Sequence, residues 1–325
     1  MKIAVLDADT LGSDLDLSPL SAFGEVRVFP SSAPDEIEKN LDGCEVAVVN
    51  KLKMNENTVK NAKDLRLICV FATGFDNIDL DFCRRRNIAV CNVVGYSTAS
   101  VAQLTVSMAL SLYTHLPAFT SHVTSGAYSA GGTANCLTPF YHEIAGKTWG
   151  IAGYGNIGRA VGDVARALGC RVIAYKRTPS PDVTVVDLDT LCRESDVLSV
   201  HLPLNDGTRG LFGAAEIAKM KPGAVFINVA RGAVADEAAL AEAIRAGKLG
   251  GLGVDVYSSE PFPASHPFYD IKDRENVCLT PHMAWGSVEA RARCLSEICL
   301  NIRSFLDGGA RCRVDMKTAR DAGSI

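Results

Sequence analysis

The stretch GIAGYGNIGRA, residues 150–160, has the glycine spacing G-x-G-x-x-G directly after an apolar run and before a segment with helical periodicity. In such a loop Gly153 makes the tight turn, Gly155 lets the backbone approach a pyrophosphate, and Gly158 lets the helix pack closely on the strand. The helix N-terminus adds unpaired N–H groups that favour phosphate. We therefore predict a dinucleotide site here, and the alternatives are a glycine turn without ligand and a methyltransferase-type nucleoside site. The predicted loop comprises Gly153, Tyr154, Gly155, Asn156, Ile157 and Gly158.

The cofactor is indicated by the end of the next strand, about 20 residues further on, where an NAD site carries Asp or Glu for the ribose 2′-OH. This chain has Lys176, Arg177 and Thr178 there instead. Two cations and a hydroxyl suit the 2′-phosphate of NADP. We predict NADP as the preferred cofactor. The alternative is NAD, with Lys176 and Arg177 directed into solvent.

Short β-branched runs alternate with helix-compatible segments on both sides of this loop, five runs before residue 97 and six after residue 147. Continuous apolar strands are typical of parallel sheets covered by helices on both faces. Residues 97–116 read as a long, mostly apolar helix, which we expect to lie between domains or subunits. Residues 124–140 are rich in Gly, Ser and Thr and are expected to form a loop. We predict an α/β fold of two doubly wound parallel-sheet domains, with boundaries near 98 and 285.

Net charge, apolar stretches and cysteine spacing limit which partners and which compartment we expect for the protein. The 325 residues carry a net charge of −4, which gives no electrostatic case for binding nucleic acid or an anionic membrane. No signal-like segment or apolar stretch of the roughly 20 residues that span a bilayer is present, so we expect a soluble cytoplasmic protein. The 11 cysteines occur singly without a C-x-x-C pair, so we predict buried reduced thiols and no metal site.

Residues that could do chemistry follow several strands of the second half. His201 and His282 each end a strand, and the carboxyl ends of parallel strands line the ligand crevice. Arg231, Asp255 and Glu260 also lie just past strand ends. Reduction of a 2-keto acid needs a cation for the substrate carboxylate, an imidazolium to protonate the forming alkoxide, and a carboxylate to orient the imidazole. The remaining histidines have no acidic or nucleophilic partner at a suggestive spacing and are set aside: His115, His122, His142 and His266.

Seven runs follow one another in chain order between residues 72 and 287. They are "ATGFDNIDLDFC", "NIAVCNVVGYSTASVAQLTVSMAL", "GKTWGIAGYGNIGRAV", "VLSVHLPLNDGTRGLF", "MKPGAVFINVARGAVADEAAL", "LGVDVYSSEP" and "LTPHMAWGS". As a set they resemble the D-isomer-specific 2-hydroxyacid dehydrogenases, and most closely the glycerate dehydrogenase/hydroxypyruvate reductase group. The resemblance implies that Arg231 holds the substrate, that His282 is the proton donor and that Glu260 is its partner. It also implies substrate contacts at Thr73, Gly74 and Phe75. Cofactor contacts are implied at Asp255, His201, Pro203 and Ala230.

The resemblance further implies a nucleotide domain, residues 98–285, inserted in a substrate domain formed by residues 1–97 and 286–325. It implies a homodimer formed through the region 98–140. The expected reaction is hydride transfer between a nicotinamide cofactor and hydroxypyruvate or glyoxylate, giving D-glycerate or glycolate. Two alternatives remain: a dehydrogenase for another D-2-hydroxy acid, such as lactate or a branched or aromatic acid, and a cofactor-sensing binding protein of the same fold.

Overall fold

The computed structural model describes residues 1–316. They form two compact units, one made of residues 1–97 and 285–316, the other of Thr98–Ala284. None of the helices within this described range is both long and apolar enough to cross a membrane.

The first unit is built on a five-stranded parallel sheet of order β2-β1-β3-β4-β5. Its strands are β1 (Lys2–Val5), β2 (Glu25–Val28), β3 (Val46–Val49), β4 (Leu67–Val70) and β5 (Ala89–Cys91). The helices between them are α1 (Ile37–Asn40), α2 (Glu56–Val59) and α3 (Leu80–Arg85). Two 3-10 turns, Ala8–Leu11 and Ser18–Phe23, connect β1 to β2 where the sequence suggested a helix-compatible segment. The order is that of a flavodoxin-like doubly wound sheet.

The second unit carries a seven-stranded parallel sheet of order β12-β11-β10-β9-β6-β7-β8. The helices are α4 (Thr98–Tyr113), α5 (Leu116–Thr124), α6 (Ala127–Gly131), α7 (Asn156–Ala167), α8 (Leu188–Glu194), α9 (Ala214–Lys219) and α10 (Glu237–Arg245). The strands are β6 (Thr148–Ala152), β7 (Arg171–Tyr175), β8 (Thr184–Val185), β9 (Val197–Val200), β10 (Ala224–Asn228), β11 (Leu249–Val254) and β12 (Val277–Leu279). Two 3-10 turns, Gly232–Val234 and Tyr269–Ile271, complete it. Its first six strands have the order of a dinucleotide-binding Rossmann sheet.

Helix α4 packs against β10, β11 and α7 of its own unit. Added Cβ atoms at Gly251 and Gly253 of β11 would lie 3.1 Å from Leu112 and 3.3 Å from Met108, both in α4. The two glycines therefore let the helix lie close on the sheet, which buries part of the apolar surface that the sequence placed between domains or subunits.

The chain returns to the first unit as α11 (Val288–Leu306), whose Ser287 side chain caps the helix by accepting the Ala290 N–H. Its buried residues Ala290, Cys294 and Ile298 recur every four positions and join the core on one face of the first sheet. Beyond the helix, the Val314 N–H donates to the Val90 carbonyl at 2.9 Å, which brings the chain alongside β5.

The two α/β domains of the predicted fold class are confirmed. The expectation of a loop over residues 124–140 was wrong in part, because Ala127–Gly131 form one short helix, α6, between two left-handed glycines, Gly126 and Gly132.

Candidate active site

The glycine loop joins β6 to α7, and Gly155 is the N-cap of that helix. Gly153 has φ 95°, a conformation that favours glycine, and a Cβ there would lie 2.7 Å from the His201 carbonyl oxygen. A Cβ on Gly158 would lie 2.2 Å from the Gly153 carbonyl oxygen. Both glycines are thus required by the packing of the loop itself.

Gly155 is different, since a Cβ at this position would meet no atom within 4 Å. The open space beside Gly155 lies at the N-terminus of a 12-residue helix, where N–H groups and the helix dipole favour an anion. Open space at the middle glycine, together with close packing at the other two, fits the pyrophosphate of a dinucleotide. The residues present therefore suit a nicotinamide dinucleotide.

His201 follows β9. This strand is the neighbour of β6, the strand before the glycine loop, and the strand order of the sheet reverses between the two. His201 Nε2 lies 3.0 Å from Ser199 Oγ, which also accepts the Trp149 Nε1–H at 3.0 Å. The residue as a whole is half-buried, but its Nδ1 is shielded from solvent and has no hydrogen-bond partner in the described residues. Burial lowers the pKa of His201 to about 3. The imidazole is therefore neutral near pH 7 and is a poor proton donor.

The predicted cofactor-selecting residues follow β7, with Lys176 half-buried and Arg177 and Thr178 exposed. Sequence reasoning missed Arg159, the cation that follows the last loop glycine. Its guanidinium pairs with Asp182 and lies 5.3 Å from the Tyr154 ring centroid. Because Asp182 lies in the segment that begins with Arg177, this ion pair joins the start of α7 to the segment after β7. The sequence signal that could have drawn attention to Arg159 was its place directly after the last glycine of the loop, in "GNIGRA".

Arg231 follows β10 in a turn held by Asn228. The Asn228 side chain accepts the Ala230 N–H at 3.0 Å and donates to the Arg231 carbonyl at 2.9 Å. The Arg231 guanidinium donates to the Ala230 carbonyl oxygen at 2.8 Å. A buried amide side chain thus fixes the backbone that carries the arginine.

His282 follows β12, and its Nδ1 lies 2.6 Å from Glu260 Oε2. The other carboxylate oxygen, Oε1, accepts the Tyr257 N–H at 2.9 Å, so Glu260 is oriented by its own loop. The side chains of His282 and Glu260 are 24% and 32% exposed, which leaves the pair accessible to a small molecule. A carboxylate in this position stabilises an imidazolium and fixes the orientation of its ring.

Asp255 holds the backbone around His282. Its buried carboxylate accepts the Thr280 hydroxyl at 2.6 Å and the N–H groups of Met283 and Ala284 at 2.8 and 2.9 Å. His282 has φ 52°, a conformation that non-glycine residues seldom adopt, and these bonds on either side of it hold that conformation in place. Burial raises the pKa of Asp255, and the three hydrogen bonds oppose that rise. The predicted contact of Asp255 with the nicotinamide stays a prediction.

The order of the strands brings Arg231, Glu260 and His282 to the same end of the sheet, where the strands have their carboxyl ends. Strands β10, β11 and β12 are neighbours, so Arg231, Glu260 and His282 all follow the carboxyl ends of three adjacent parallel strands. The glycine loop follows β6 at the same edge, and β6 pairs with β9 where the strand order reverses. Ligands bind at such a position in open α/β sheets. Pro203 lies in the loop after β9, where its carbonyl accepts the Thr208 hydroxyl at 2.6 Å.

The predicted substrate loop lies in the first unit, directly after β4. Thr73 is fixed by its hydroxyl, which donates to the Val93 carbonyl at 2.7 Å, and by its own carbonyl, which accepts from Asn92 Nδ2 at 2.7 Å. Among the residues described, no acceptor is paired with the backbone N–H of Thr73, Gly74 or Phe75. The loop is therefore held by groups other than the amides that would bind a carboxylate.

One histidine that the sequence set aside does have an acidic partner. His266 Nε2 lies 3.0 Å from Glu237 Oε2, and both side chains are nearly buried. Sequence spacing could not reveal this pair, because Glu237 is 29 residues from His266 and is brought to it only by the fold. For the other three, His115, His122 and His142, no acidic partner is seen in the described part of the chain.

The 11 cysteines are all free, and most are buried. Burial raises the pKa of Cys83 and Cys91 to about 12 and that of Cys192 to about 11. Such thiols are poor nucleophiles near neutral pH. Within residues 1–316 no group of His, Cys, Asp and Glu side chains is arranged to hold a metal ion.

Comparison with known proteins identifies the family. Residues 106–284 match the model of the D-isomer specific 2-hydroxyacid dehydrogenase NAD binding domain. A glycerate dehydrogenase of Methylorubrum extorquens is 34% identical over 308 residues, which cover 94% of this chain and 96% of the relative. A hydroxypyruvate reductase of Blautia hydrogenotrophica is 33% identical over 318 residues, covering 95% and 98%.

Among solved structures, a D-lactate dehydrogenase of Aquifex aeolicus complexed with NAD and lactic acid is similar, with a TM-score of 0.86 and 26% identity. The match covers 98% of this chain and all of that structure. The glycine loop and the open space at Gly155 agree with the match to an NAD binding domain. The chain belongs to the D-isomer specific 2-hydroxyacid dehydrogenase family, whose members are oxidoreductases that use a nicotinamide cofactor.

Proposed function

We propose that the protein interconverts hydroxypyruvate or glyoxylate with D-glycerate or glycolate by hydride transfer to or from a nicotinamide cofactor. The observation that carries the chemistry is the 2.6 Å contact between His282 and Glu260, at the same sheet edge as Arg231 and the glycine loop. The choice of hydroxypyruvate or glyoxylate as substrate is supported by the relatives named glycerate dehydrogenase and hydroxypyruvate reductase. The alternative substrates are lactate or a branched or aromatic D-2-hydroxy acid, and the D-lactate dehydrogenase structure keeps the first of these open.

In the proposed mechanism Arg231 binds the substrate carboxylate and polarises the carbonyl, because a guanidinium presents paired N–H donors. His282 Nδ1 faces Glu260, so the proton given to the forming alkoxide is assigned to Nε2. Glu260 stabilises the imidazolium before the transfer. The glycine loop would hold the nicotinamide cofactor, which would supply the hydride when bound. In the oxidative direction His282 receives the proton from the substrate hydroxyl.

We also propose that residues 98–285 bind the dinucleotide and that the remaining chain binds substrate, with Thr73, Gly74 and Phe75 holding its carboxylate through their N–H groups. His201, Pro203, Ala230 and Asp255 remain proposed cofactor contacts. The buried Nδ1 of His201 supports a polar neighbour for that residue when the site is filled, since buried polar atoms are rarely left without a hydrogen bond. The cytoplasmic location stays a prediction.

The function is tested by steady-state assays that cross NADH and NADPH with hydroxypyruvate, glyoxylate, pyruvate, 2-ketoisocaproate and phenylpyruvate. We expect the highest kcat/KM with hydroxypyruvate or glyoxylate. A higher value with one of the other acids would reassign the substrate. Tight cofactor binding without turnover of any acid would instead favour a cofactor-sensing protein.

The proton donor is tested by contrasting the two strand-end histidines. We expect His282→Ala to lower kcat by about a hundredfold or more, because general acid catalysis is lost. His201→Gln serves as the control and should change kcat by less than about tenfold, since a neutral buried imidazole donates no proton. A large loss in His201→Gln with none in His282→Ala would reverse the assignment.

We propose NADP as the preferred cofactor on the strength of Lys176, Arg177 and Thr178 at the end of β7. Replacing Lys176 by Asp and Arg177 by Ala should weaken NADPH binding about tenfold or more and leave NADH binding nearly unchanged, because only NADPH carries the 2′-phosphate. Kd values from cofactor fluorescence titration provide the measurement. Equal losses for both cofactors would count against the proposal.

We further propose a homodimer formed through the region 98–140. The structure gives this region exposed apolar side chains on α5 and the segment that follows α6, including Val123 and Leu137. Exposed apolar side chains are concentrated in this region of the chain, which supports an interface there.

A further inference from the structure

Glu237 is a nearly buried carboxylate that the proposed mechanism does not use. It lies at the first position of α10, its side chain is 10% exposed, and that of its partner His266 is 4% exposed. Oε1 accepts the Ser258 N–H at 2.8 Å, and Oε2 accepts the Ser258 hydroxyl as well as bonding His266 Nε2 at 3.0 Å. Three donors therefore converge on one carboxylate.

The tautomer of His266 follows from its other ring nitrogen. Nδ1 accepts the Phe268 N–H at 3.2 Å, so the proton of a neutral imidazole is on Nε2 and points to Glu237. Aromatic rings surround the imidazole, with the centroids of Phe262 and Phe268 at 4.9 and 5.1 Å. The Ser258 hydroxyl bonds the carboxylate and not the imidazole, so the three residues are not a serine nucleophile with its base.

Ser258 is also fixed from its other side. A Cβ on Gly232 would lie 2.1 Å from the Tyr257 carbonyl carbon and 2.3 Å from the Ser258 nitrogen, so the two backbones are in direct contact. Gly232 follows Arg231 in the chain. The Tyr257–Ser258 backbone is therefore held between the Arg231 turn and the Glu237 carboxylate.

The Tyr257–Ser258 segment in turn orients Glu260, the partner of the proposed proton donor His282. The Tyr257 N–H donates to Glu260 Oε1 at 2.9 Å, and Glu260 Oε2 contacts His282 Nδ1 at 2.6 Å. The path from His266 through Glu237, Ser258 and Tyr257 to Glu260 thus lies within one unit of the protein.

We propose that Glu237, oriented by His266, is a positioning residue for proton transfer: it fixes the Tyr257–Ser258 backbone so that Glu260 faces His282. This inference rests on the proposed function, in which His282 transfers the proton and Glu260 stabilises its imidazolium. Glu237 acts only through Glu260 and touches neither substrate nor cofactor in this assignment.

The first test is a set of single variants assayed with hydroxypyruvate and the preferred cofactor. Glu237→Ala should lower kcat by about tenfold to a hundredfold with KM values within about twofold, since a small misplacement of a catalytic group is costly. Glu237→Gln keeps an acceptor for the Ser258 N–H and should recover part of the loss. Glu242→Ala is the matched control on the same helix. Its side chain is 70% exposed and pairs only with Arg245 among the contacts seen in the described residues, so kcat should not change.

The second test separates positioning from general stability by a double-mutant cycle. In a Glu260→Gln background, Glu237→Ala should cause no further loss of kcat, because the group it positions is already disabled. Multiplying losses, or an unchanged kcat in Glu237→Ala, would overturn the proposal. Ser258→Ala removes one hydroxyl contact and gives the same comparison if Glu237→Ala does not fold.

The Glu260→Gln variant also distinguishes this inference from the proposed function. If Glu260→Gln retains wild-type kcat, the roles given to Glu260 and His282 fail and the positioning proposal fails with them. If Glu260→Gln is impaired while Glu237→Ala and Ser258→Ala are not, only the positioning proposal fails.

Discussion

Two histidines with the same sequence setting have opposite surroundings. His201 and His282 both end a strand of one parallel sheet, and sequence pattern alone treats them alike. His201 Nε2 lies beside Ser199 Oγ and has no charged partner among the described residues, whereas His282 faces Glu260. The difference arises from side-chain environment, which only the fold supplies. It decides which imidazole has a carboxylate to orient its ring.

The burial of His201 predicts a specific loss of stability in acid. Its pKa is lowered to about 3 in the folded chain, against about 6.5 for an exposed histidine. The unfolded chain therefore binds the proton first, so the stability that neutral His201 contributes is complete above about pH 6.5 and is lost as pH falls toward 3. At pH 5 the loss is about 2 kcal/mol of unfolding free energy.

Urea unfolding at pH 7 and pH 5 measures this loss. His201→Gln, which cannot titrate, should lose less stability than the wild type between the two pH values, whatever its absolute stability. The two proteins are compared by the unfolding free energy that each loses between pH 7 and pH 5, because they share all other titrating groups. The same decrease in both proteins would contradict the burial of an unprotonated imidazole.

At the scale of elements, the sequence predicted most strands well because most are continuous apolar runs, although β2 (Glu25–Val28) contains Glu25 and Arg27. It missed β8, a two-residue edge strand, because Thr184 and Val185 bury too little surface to show a pattern. It missed α6 because glycine and serine suggest a loop. The pairing of His266 with Glu237 lay outside its reach, since that contact joins α10 to a loop 29 residues away.

The glycine loop gives a prediction that separates folding from cofactor binding. Gly155→Ala places a methyl group in open space and should change the unfolding free energy of the cofactor-free protein by less than about 1 kcal/mol. It should still weaken NAD(P)H binding by about tenfold or more, since the methyl group would occupy the position of the pyrophosphate. Fluorescence titration and urea unfolding measure the two effects.

Gly158→Ala is the matched control for this prediction. Its methyl group would overlap the Gly153 carbonyl oxygen, so it should cost about 1–3 kcal/mol of stability even without cofactor. Wild-type affinity in Gly155→Ala would show that the phosphates lie elsewhere.

At the scale of the whole molecule, the alternation of strands and helices recurs throughout the chain and does not by itself assign the last helix to a unit. Helix α11 packs on β4, more than 200 residues earlier in the sequence. Its amphipathic pattern predicts a buried face but not which sheet covers it. The discontinuous first unit was suggested only by resemblance to a family.

The proposed dimer interface is formed by the surface of α5 and the segment that follows α6. Leu137 and Phe140 are 68% and 79% exposed, and the ring of Tyr141 lies 6.0 Å from that of Phe119 in α5, so apolar groups from two segments are adjacent. Replacing Leu137 and Phe140 together by Asp should shift the protein from the mass of two chains to that of one in sedimentation equilibrium, because charges oppose burial at an interface. Val28→Asp, at a 49% exposed position in β2, is the control and should leave the mass unchanged. A wild-type protein that sediments as one chain at micromolar concentration, or a double variant that still sediments as two, would refute the use of this surface.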